Sequence, residues 1–398
     1  MIYLFILIGL LSLTIVYDIG AHKTNKSMWI RIAFFVFVVL AGFRYRIGVD
    51  TINYLYSFYH QIPSFSNFER SYFEDYAQEP LFTLLEVIVK SIFGRFYVMQ
   101  IVQALFVNLL IFKYIIKHSR YVFCCFLLYF VWIYPTYIAE EMRASMSVAI
   151  CLYANDYFLE KKWIKALSLV IVASLFHYSS LLLLLTPFLL FLRPNLIGLS
   201  ILSMALLMGY IVQGVLGDYM ILLNMDMPVY EKLQAYSNSS ADQKLNIAGI
   251  VGQQGVFMLY SYLSMKKNKN ENLKTLEPFI MIGLISVLIS IPIHIFYRYT
   301  HFYTVYFIIF FSNYFVEIVR RNLKREKLLA YVRALVIAIP FFFLIYQTYF
   351  PIAAGTNIRN YVRYCPYSSI FYRRFYNERE QLFNNYSGVK SYPNLNEY

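Results

Sequence analysis

Two arginines and an aspartate lie within residues 43–54, directly after a long apolar segment. A planar guanidinium donates two parallel hydrogen bonds to phosphate oxygens, and its charge is screened less near lipid than in water. Arg44 and Arg46 are therefore candidates for binding an anionic, hydroxyl-rich ligand, and Asp50 is a candidate general base. The alternative is a plain basic anchor at the head-group level of a membrane, but an anchor requires neither Gly48 nor Asp50.

Further ionisable residues occur at the ends of predicted helices. Arg143 and Arg298 lie at helix beginnings and should either face a polar cavity or extend to the membrane surface, because a charge within lipid is costly. Glu141 is another candidate base. Internal ion pairs, such as Glu141 with Arg143 or Asp50 with Arg46, are an alternative explanation of these charges. The candidate substrate-binding residues are Tyr54, Glu79 and His301.

His177 interrupts a long apolar segment, residues 166–192, and is followed by Tyr178, Ser179 and Ser180. A polar break at membrane depth is tolerated only where it faces protein or a wet cavity. Histidine exchanges protons near neutral pH, so His177 is a candidate general base beside Asp50. The alternative is a histidine that is simply satisfied within the protein core.

The elements that must position these residues are membrane helices. Apolar residues make up 60% and charged residues 14% of the 398 positions, and the mean hydropathy is +0.53, which exceeds what a soluble domain requires. Repeated apolar segments approach the roughly 20 residues that cross a bilayer. We therefore predict an all-α, polytopic helical membrane protein with about 10–12 membrane helices. Interfacial or re-entrant elements are expected among them, of which residues 81–93 are one.

Basic clusters predict the orientation of the chain, because lysine and arginine concentrate in short cytoplasmic loops. The loop with Arg44 and the break at His177 then face the outer side of the membrane. Residues 1–350 are predicted to form a transmembrane domain, and residues 351–398 an external aromatic and basic tail. The basic clusters lie at residues 113–120, 161–165, 266–274 and 320–327.

Charge and motif content exclude other classes of protein. The net charge of +13 is distributed over the loops, so no nucleic-acid partner is expected. The four cysteines show no disulfide framework, and the six dispersed histidines show no metal-ligand spacing. No glycine-rich phosphate loop, zinc motif or nucleophile elbow occurs. We therefore expect neither a metal nor a cofactor.

Six short motifs occur in order along nearly the whole chain, at residues 44–54, 79–82, 142–147, 175–180, 298–303 and 366–367. Together they resemble the EpsG-like family of bacterial exopolysaccharide and O-antigen polymerases. Glu140 and Glu141, which precede Arg143, depart from the family pattern. The resemblance implies an architecture related to membrane glycosyltransferases of the C type.

The resemblance also implies a reaction. An oligosaccharide would pass from undecaprenyl pyrophosphate to the non-reducing end of another lipid-linked repeat unit, with a chain-length regulator and a flippase as further partners. The pyrophosphate-binding residues that the resemblance implies are Arg44, Arg46, Arg143 and Arg298, whose charges can stabilise the leaving pyrophosphate without a metal. It also implies that the transfer takes place on the periplasmic or exterior face of a bacterial inner membrane.

Two alternatives use the same lipid. One is a flippase for lipid-linked glycans, and the other is an O-antigen ligase or acyltransferase. Because the polar residues gather on one predicted side and no inverted repeat is evident, the sequence favours the polymerase over the flippase.

Overall fold

The computed structural model describes residues 1–67, 79–195, 271–291 and 296–323, together with most of 197–211 and 349–386 and isolated positions of 339–348. The predicted all-α fold is confirmed, because this part of the chain contains no sheet and only isolated β-bridges. Fourteen α-helices have defined bounds within it. In chain order they are α1 (Ile2–Leu13), α2 (Lys26–Gly42), α3 (Val49–Tyr56), α4 (Pro80–Phe93), α5 (Phe96–His118), α6 (Val122–Leu128), α7 (Met142–Leu159), α8 (Trp163–Phe176), α9 (Thr186–Leu189), α10 (Glu271–Lys274), α11 (Glu277–Ser290), α12 (Tyr297–Thr300), α13 (Thr304–Leu323) and α14 (Asn377–Tyr386).

The apolar helices indicate an integral membrane protein. Among the described residues, three helical segments are long and apolar enough to cross a membrane: Ile2–Ile19, Phe96–His118 and Arg298–Arg321. The expected total of 10–12 membrane helices stays a prediction, because residues 212–270 and 324–338 lie outside the described part, as do the basic clusters within them. Four shorter apolar helices are also present: Val122–Ile133, Trp163–Phe176, Tyr178–Leu189 and Glu277–Ser290.

Two local features predicted from the sequence are present in the structure. Helix α8 ends at Phe176 and a 3₁₀-helix begins at Tyr178, so His177 lies at a break. The short helix predicted at residues 81–93 is α4, which opens with Pro80, where the missing proline N–H would have no helical partner in any case. The interfacial placement of α4 stays a prediction.

The structure divides into two compact units, which are described separately. The predicted external tail, residues 351–398, is called the C-terminal segment below. It belongs to the first unit, and its external placement stays a prediction. The first unit comprises Met1–Tyr157, Trp163–Leu181 and Thr348–Tyr398, and the second comprises Phe158–Lys162 and Leu182–Gln347.

The core of the first unit is aromatic and includes the contact between α2 and α5. Phe37 of α2 is fully buried, and its ring centroid lies 5.2 Å from that of Phe112 of α5. A Cβ on Gly42 would lie 2.7 Å from Cγ1 of Ile101, so glycine permits the close approach of the two helices. This packing fixes the end of α2 and hence the start of the loop that carries Arg44.

The second unit contains α11 and α13, which approach closely at Gly283. A Cβ on that glycine would lie 2.6 Å from Cζ of Phe307. The buried Tyr303 hydroxyl shares hydrogen bonds with the hydroxyls of Thr186 at 2.9 Å and Tyr299 at 2.7 Å. These bonds satisfy polar groups that burial would otherwise leave unpaired.

Candidate functional site

The loop between α2 and α3 is held by the C-terminal segment. The N–H of Tyr45 donates to the Ser368 carbonyl at 2.8 Å, and the N–H of Gly48 donates to the Arg363 carbonyl at 3.0 Å. Gly48 has a φ of +87°, and a Cβ there would lie 2.5 Å from the Ala139 carbonyl oxygen. Only glycine adopts this backbone conformation without strain, so Gly48 and the two hydrogen bonds hold the loop in one conformation.

This loop forms part of the wall of a cavity of about 300 Å³. Two of its lining residues, Arg44 and Arg46, come from the loop, and two more arginines come from elsewhere: Arg95 at the N-cap of α5 and Arg373 in the C-terminal segment. The described lining residues include no carboxylate. One of the four arginines, Arg46, is paired with Glu380 outside the lining, and the positive charges that remain repel one another, so the cavity is suited to an anion.

Arg44 is the most deeply buried of the four, with 2% of its surface exposed. Its Nη1 donates to the Ala41 carbonyl at 2.7 Å, while its Nε and Nη2 find no acceptor among the described residues. Burial lowers the pKa of Arg44 to about 10, so the guanidinium is charged at neutral pH. Leaving a buried donor unpaired costs roughly 1–3 kcal/mol. An anion in the cavity would remove that cost.

Arg46 is oriented by an acid from α14. Its Nε donates to Oε1 of Glu380 at 2.9 Å, and its Nη2 donates to Oε2 of the same carboxylate. Its Nη1 is buried and has no acceptor in the described part of the chain. Arg46 also has a φ of +50°, which is uncommon for a residue other than glycine. The surrounding contacts must therefore hold its backbone as well as its side chain.

A second polar cluster joins the ends of three helices through Glu79, which is 4% exposed and directly precedes α4. Its Oε2 accepts from Nη1 of Arg143 at 2.6 Å, and its Oε1 is 2.6 Å from Nδ1 of His177. Arg143 lies at the start of α7, and His177 follows α8. The hydroxyl of Tyr54 accepts from Nε of Arg143 at 3.3 Å. The structure thus brings four of the predicted site residues together.

The charge of Glu79 determines the tautomer of His177. Burial raises the pKa of the Glu79 carboxyl, but the hydrogen bond from His177 and the charge of Arg143 outweigh burial and hold that pKa below its ordinary value. An ionised carboxylate only accepts hydrogen bonds, so Nδ1 of a neutral His177 carries the proton and Nε2 keeps its lone pair. His177 therefore has the arrangement of a base oriented by an acid.

Helix α3 contributes residues to both the cavity and the Glu79 cluster. Thr51 and Ile52 of this helix line the cavity, whereas Tyr54 contacts Arg143. The two places are therefore connected through one helix.

The other predicted bases lie near this region. Asp50 is exposed at the start of α3, and its backbone N–H donates to Oε2 of Glu140 at 3.1 Å. Oε1 of Glu140 is 3.9 Å from Nη1 of Arg363, so Glu140 links α3 to the C-terminal segment. Glu141 is half-buried at the break before α7. The roles of Asp50 and Glu141 as bases stay predictions.

Internal ion pairs were the alternative explanation of the charges in this region. Two of the arginines do form ion pairs, but with other acids: Arg143 pairs with Glu79, and Arg46 pairs with Glu380. Arg298 and His301 lie in the second unit, where Arg298 is exposed and His301 is buried. Their predicted roles stay predictions.

The sequence analysis missed three residues of the site: Arg95, Arg373 and Glu380. Arg95 had a local signal, because it lies with Gly94 between two predicted helices on the side assigned to the outer face. Glu380 had none, because its partner Arg46 is 334 positions away. Among the described residues, no group of three or more His, Cys, Asp or Glu side chains is arranged to hold a metal ion.

Helix α5 connects the cavity to the opposite end of the first unit. Its 23 residues span about 35 Å at 1.5 Å per residue. Arg95 lies at its N-terminus, and Lys117 and His118 at its C-terminus bind Asp156 at 2.6 Å and 3.0 Å. Lys117 belongs to a basic cluster that is predicted to be cytoplasmic, so the cavity is expected at the outer end.

Single cysteines should report this orientation. In a variant without the four native cysteines, a cysteine at Asn384, exposed on α14, should react with an impermeant thiol reagent in intact spheroplasts. A cysteine at Arg120, exposed after α5, should react only after the membrane is permeabilised. Labelling of position 120 and protection of position 384 would show that the orientation is inverted.

These features define a helical integral membrane protein with a polar, cation-rich site built from helix ends and a C-terminal segment. Residues 27–369 match the model of the EpsG family, so the chain belongs to that family, which is linked to polysaccharide polymerisation. No curated protein and no solved structure matches the chain. The matched region includes Arg44, Glu79, Arg143 and His177, whereas Arg373 and Glu380 lie beyond it.

Proposed function

We propose that this protein is a polysaccharide polymerase that transfers an oligosaccharide from undecaprenyl pyrophosphate to the non-reducing end of another lipid-linked repeat unit. The observation that carries the proposal is the cavity lined by four arginines. Three buried guanidinium nitrogens there, Nε and Nη2 of Arg44 and Nη1 of Arg46, have no acceptor among the described residues. A diphosphate supplies both the charge and the acceptor oxygens that this arrangement lacks.

The reaction breaks the bond between the sugar C1 and a pyrophosphate oxygen and forms a bond from C1 to an acceptor hydroxyl oxygen. Negative charge develops on the leaving pyrophosphate, where the arginines would stabilise it. The acceptor hydroxyl gives its proton to Nε2 of His177, whose Nδ1 is held by Glu79. The guanidiniums supply the positive charge at the leaving group, so the proposed transfer is metal-independent.

The Glu79 cluster supports the assignment of His177 as the base. Arg143 pairs with the same carboxylate, so its proposed role shifts from direct pyrophosphate binding to holding Glu79 in place. Glu79 likewise becomes the residue that orients the base, although it was predicted as a substrate contact. Asp50, which is exposed near Tyr54, is the second candidate base.

A largely apolar cavity of about 340 Å³ supports a lipid-linked substrate. Leu4 and Leu7 of α1 line it, together with Phe130 and Tyr349. Several neighbouring side chains of α1 are exposed and apolar, including Phe5 and Ile8, as expected of a helix that faces lipid. Part of an isoprenoid chain could occupy this cavity. The proposed location is the outer face of the bacterial cytoplasmic membrane, with a flippase and a chain-length regulator as partners.

Defined lipid-linked repeat units test the proposal. The purified protein, reconstituted in vesicles with one such unit as both donor and acceptor, should produce a ladder in which each band gains one repeat. Transfer of a single glycan to a different acceptor, without a ladder, would indicate a ligase instead. Movement of the lipid-linked unit across the vesicle membrane, without any new glycosidic bond, would indicate a flippase.

A further inference from the structure

The C-terminal helix α14 contacts the arginine loop through two neighbouring residues, Arg379 and Glu380. Arg379 is 1% exposed. Its Nε donates to the Val362 carbonyl at 2.8 Å, its Nη1 to the Arg46 carbonyl at 3.3 Å, and its Nη2 to the Pro366 carbonyl. This side chain therefore ties the C-terminal segment to the residue in the loop that has the left-handed backbone.

Glu380 holds the side chain of the same residue. Its two oxygens accept from Nε and Nη2 of Arg46, which fixes the plane of the guanidinium. The rings of Phe375 and Phe383 lie 5.4 and 5.9 Å from Cζ of Arg46. One edge of the guanidinium is thus occupied, and Nη1 is buried with no acceptor among the described residues.

We propose that Arg379 and Glu380 are positioning residues for the diphosphate site, and that they act through Arg46. The proposal rests on the function proposed above. Arg379 fixes the backbone conformation of Arg46, and Glu380 fixes the orientation of its guanidinium. Nη1 is then already oriented to donate to the diphosphate before the ligand binds. Pre-orientation of this kind increases affinity because the ligand does not have to restrict a long side chain. Helix α14, which lies outside the family-matched residues, therefore orients a residue of the binding site.

A purely electrostatic role and a positioning role for Glu380 predict changes in anion affinity of opposite sign. A carboxylate beside an anion site repels the anion, so its removal would strengthen binding if charge were its only contribution. If Glu380 positions Arg46, its removal weakens binding, because a glutamine can accept only one of the two hydrogen bonds. The sign of the change distinguishes the two roles.

The full-length protein in lipid nanodiscs, with geranylgeranyl diphosphate as the probe, provides the test. We expect Glu380→Gln to weaken binding by about fivefold or more, as is usual when one of two contacting partners is lost. Glu378→Gln removes the same charge from an exposed position of the same helix and should change affinity by less than about twofold. Thermal unfolding of both variants should resemble that of the wild type.

A double-mutant cycle shows whether Glu380 acts through Arg46. In an Arg46→Lys background, where the two-pronged pair cannot form, Glu380→Gln should have no further effect on binding. If Glu380→Gln proves unstable, Glu380→Asp retains the charge but shortens the reach, and the same loss of affinity is expected. Unchanged or stronger binding by a folded Glu380 variant would overturn this inference alone. Failure of the wild-type protein to bind the probe would instead contradict the proposed function.

Discussion

Replacement of Arg44 by lysine should reduce chain extension by about a hundredfold or more, which is typical for the loss of a buried donor that stabilises a transition-state charge. Lysine keeps the positive charge but loses the planar fork. In the wild type, Nη1 of Arg44 donates to the Ala41 carbonyl, while Nε and Nη2 are buried with no acceptor among the described residues. A single ammonium cannot reproduce both functions. The measurement is kcat/KM with defined lipid-linked units and purified protein.

Arg120→Lys is the matched control for Arg44→Lys. Arg120 is exposed at the opposite end of α5, so the same substitution there should leave kcat/KM within about twofold of the wild type. Because Arg44 is buried, thermal unfolding of both variants must be compared with that of the wild type. A folded Arg44→Lys protein with full activity would reduce Arg44 to a membrane anchor, which was the alternative interpretation of its sequence context.

The helices that were predicted correctly were recognised from local features of the sequence. Long apolar segments located α5 and α7, and the polar residues after Phe176 located the end of α8. These signals are local because a membrane helix must satisfy its backbone hydrogen bonds within one continuous apolar segment. The physical reason for glycine at position 48, the nearby Ala139 carbonyl, was not visible in the sequence.

The pairing of charges could not be predicted in the same way. Arg143 and Glu79 are 64 positions apart, and His177 and Glu79 are 98 positions apart. The sequence suggested neighbouring acids as partners, because nothing local specifies which helix ends meet. Several charged candidates were present, and tertiary packing selected Glu79. The same reason explains why Glu380 escaped notice, since α14 carries charges but no apolar segment that would mark it as part of a membrane site.

Replacement of His177 by glutamine should have the second large effect, a loss of roughly 10²–10⁴-fold in the rate of chain extension, the usual contribution of a general base. Glutamine can still hydrogen-bond to Glu79, so the cluster around Arg143 should persist, but it cannot accept the proton from the acceptor hydroxyl. Binding of geranylgeranyl diphosphate should therefore remain within about twofold of the wild type. This separation of rate from binding distinguishes a base from a residue that only supports the fold.

The pH dependence of the rate gives an independent readout of the same residue. Glu79 stays ionised at neutral pH because its pKa is held below the ordinary value, so Nε2 of a neutral His177 is free to act as a base. A general base acts only in its unprotonated form, so the wild-type rate should fall at acid pH, and this decline should be absent from the residual activity of His177→Gln. Asp50→Asn provides the comparison, because it removes the other candidate base and should keep both the rate and the acid decline. If Asp50→Asn loses the rate and His177→Gln retains it, Asp50 is the base, and the Glu79 cluster then serves to hold α4, α7 and the end of α8 together.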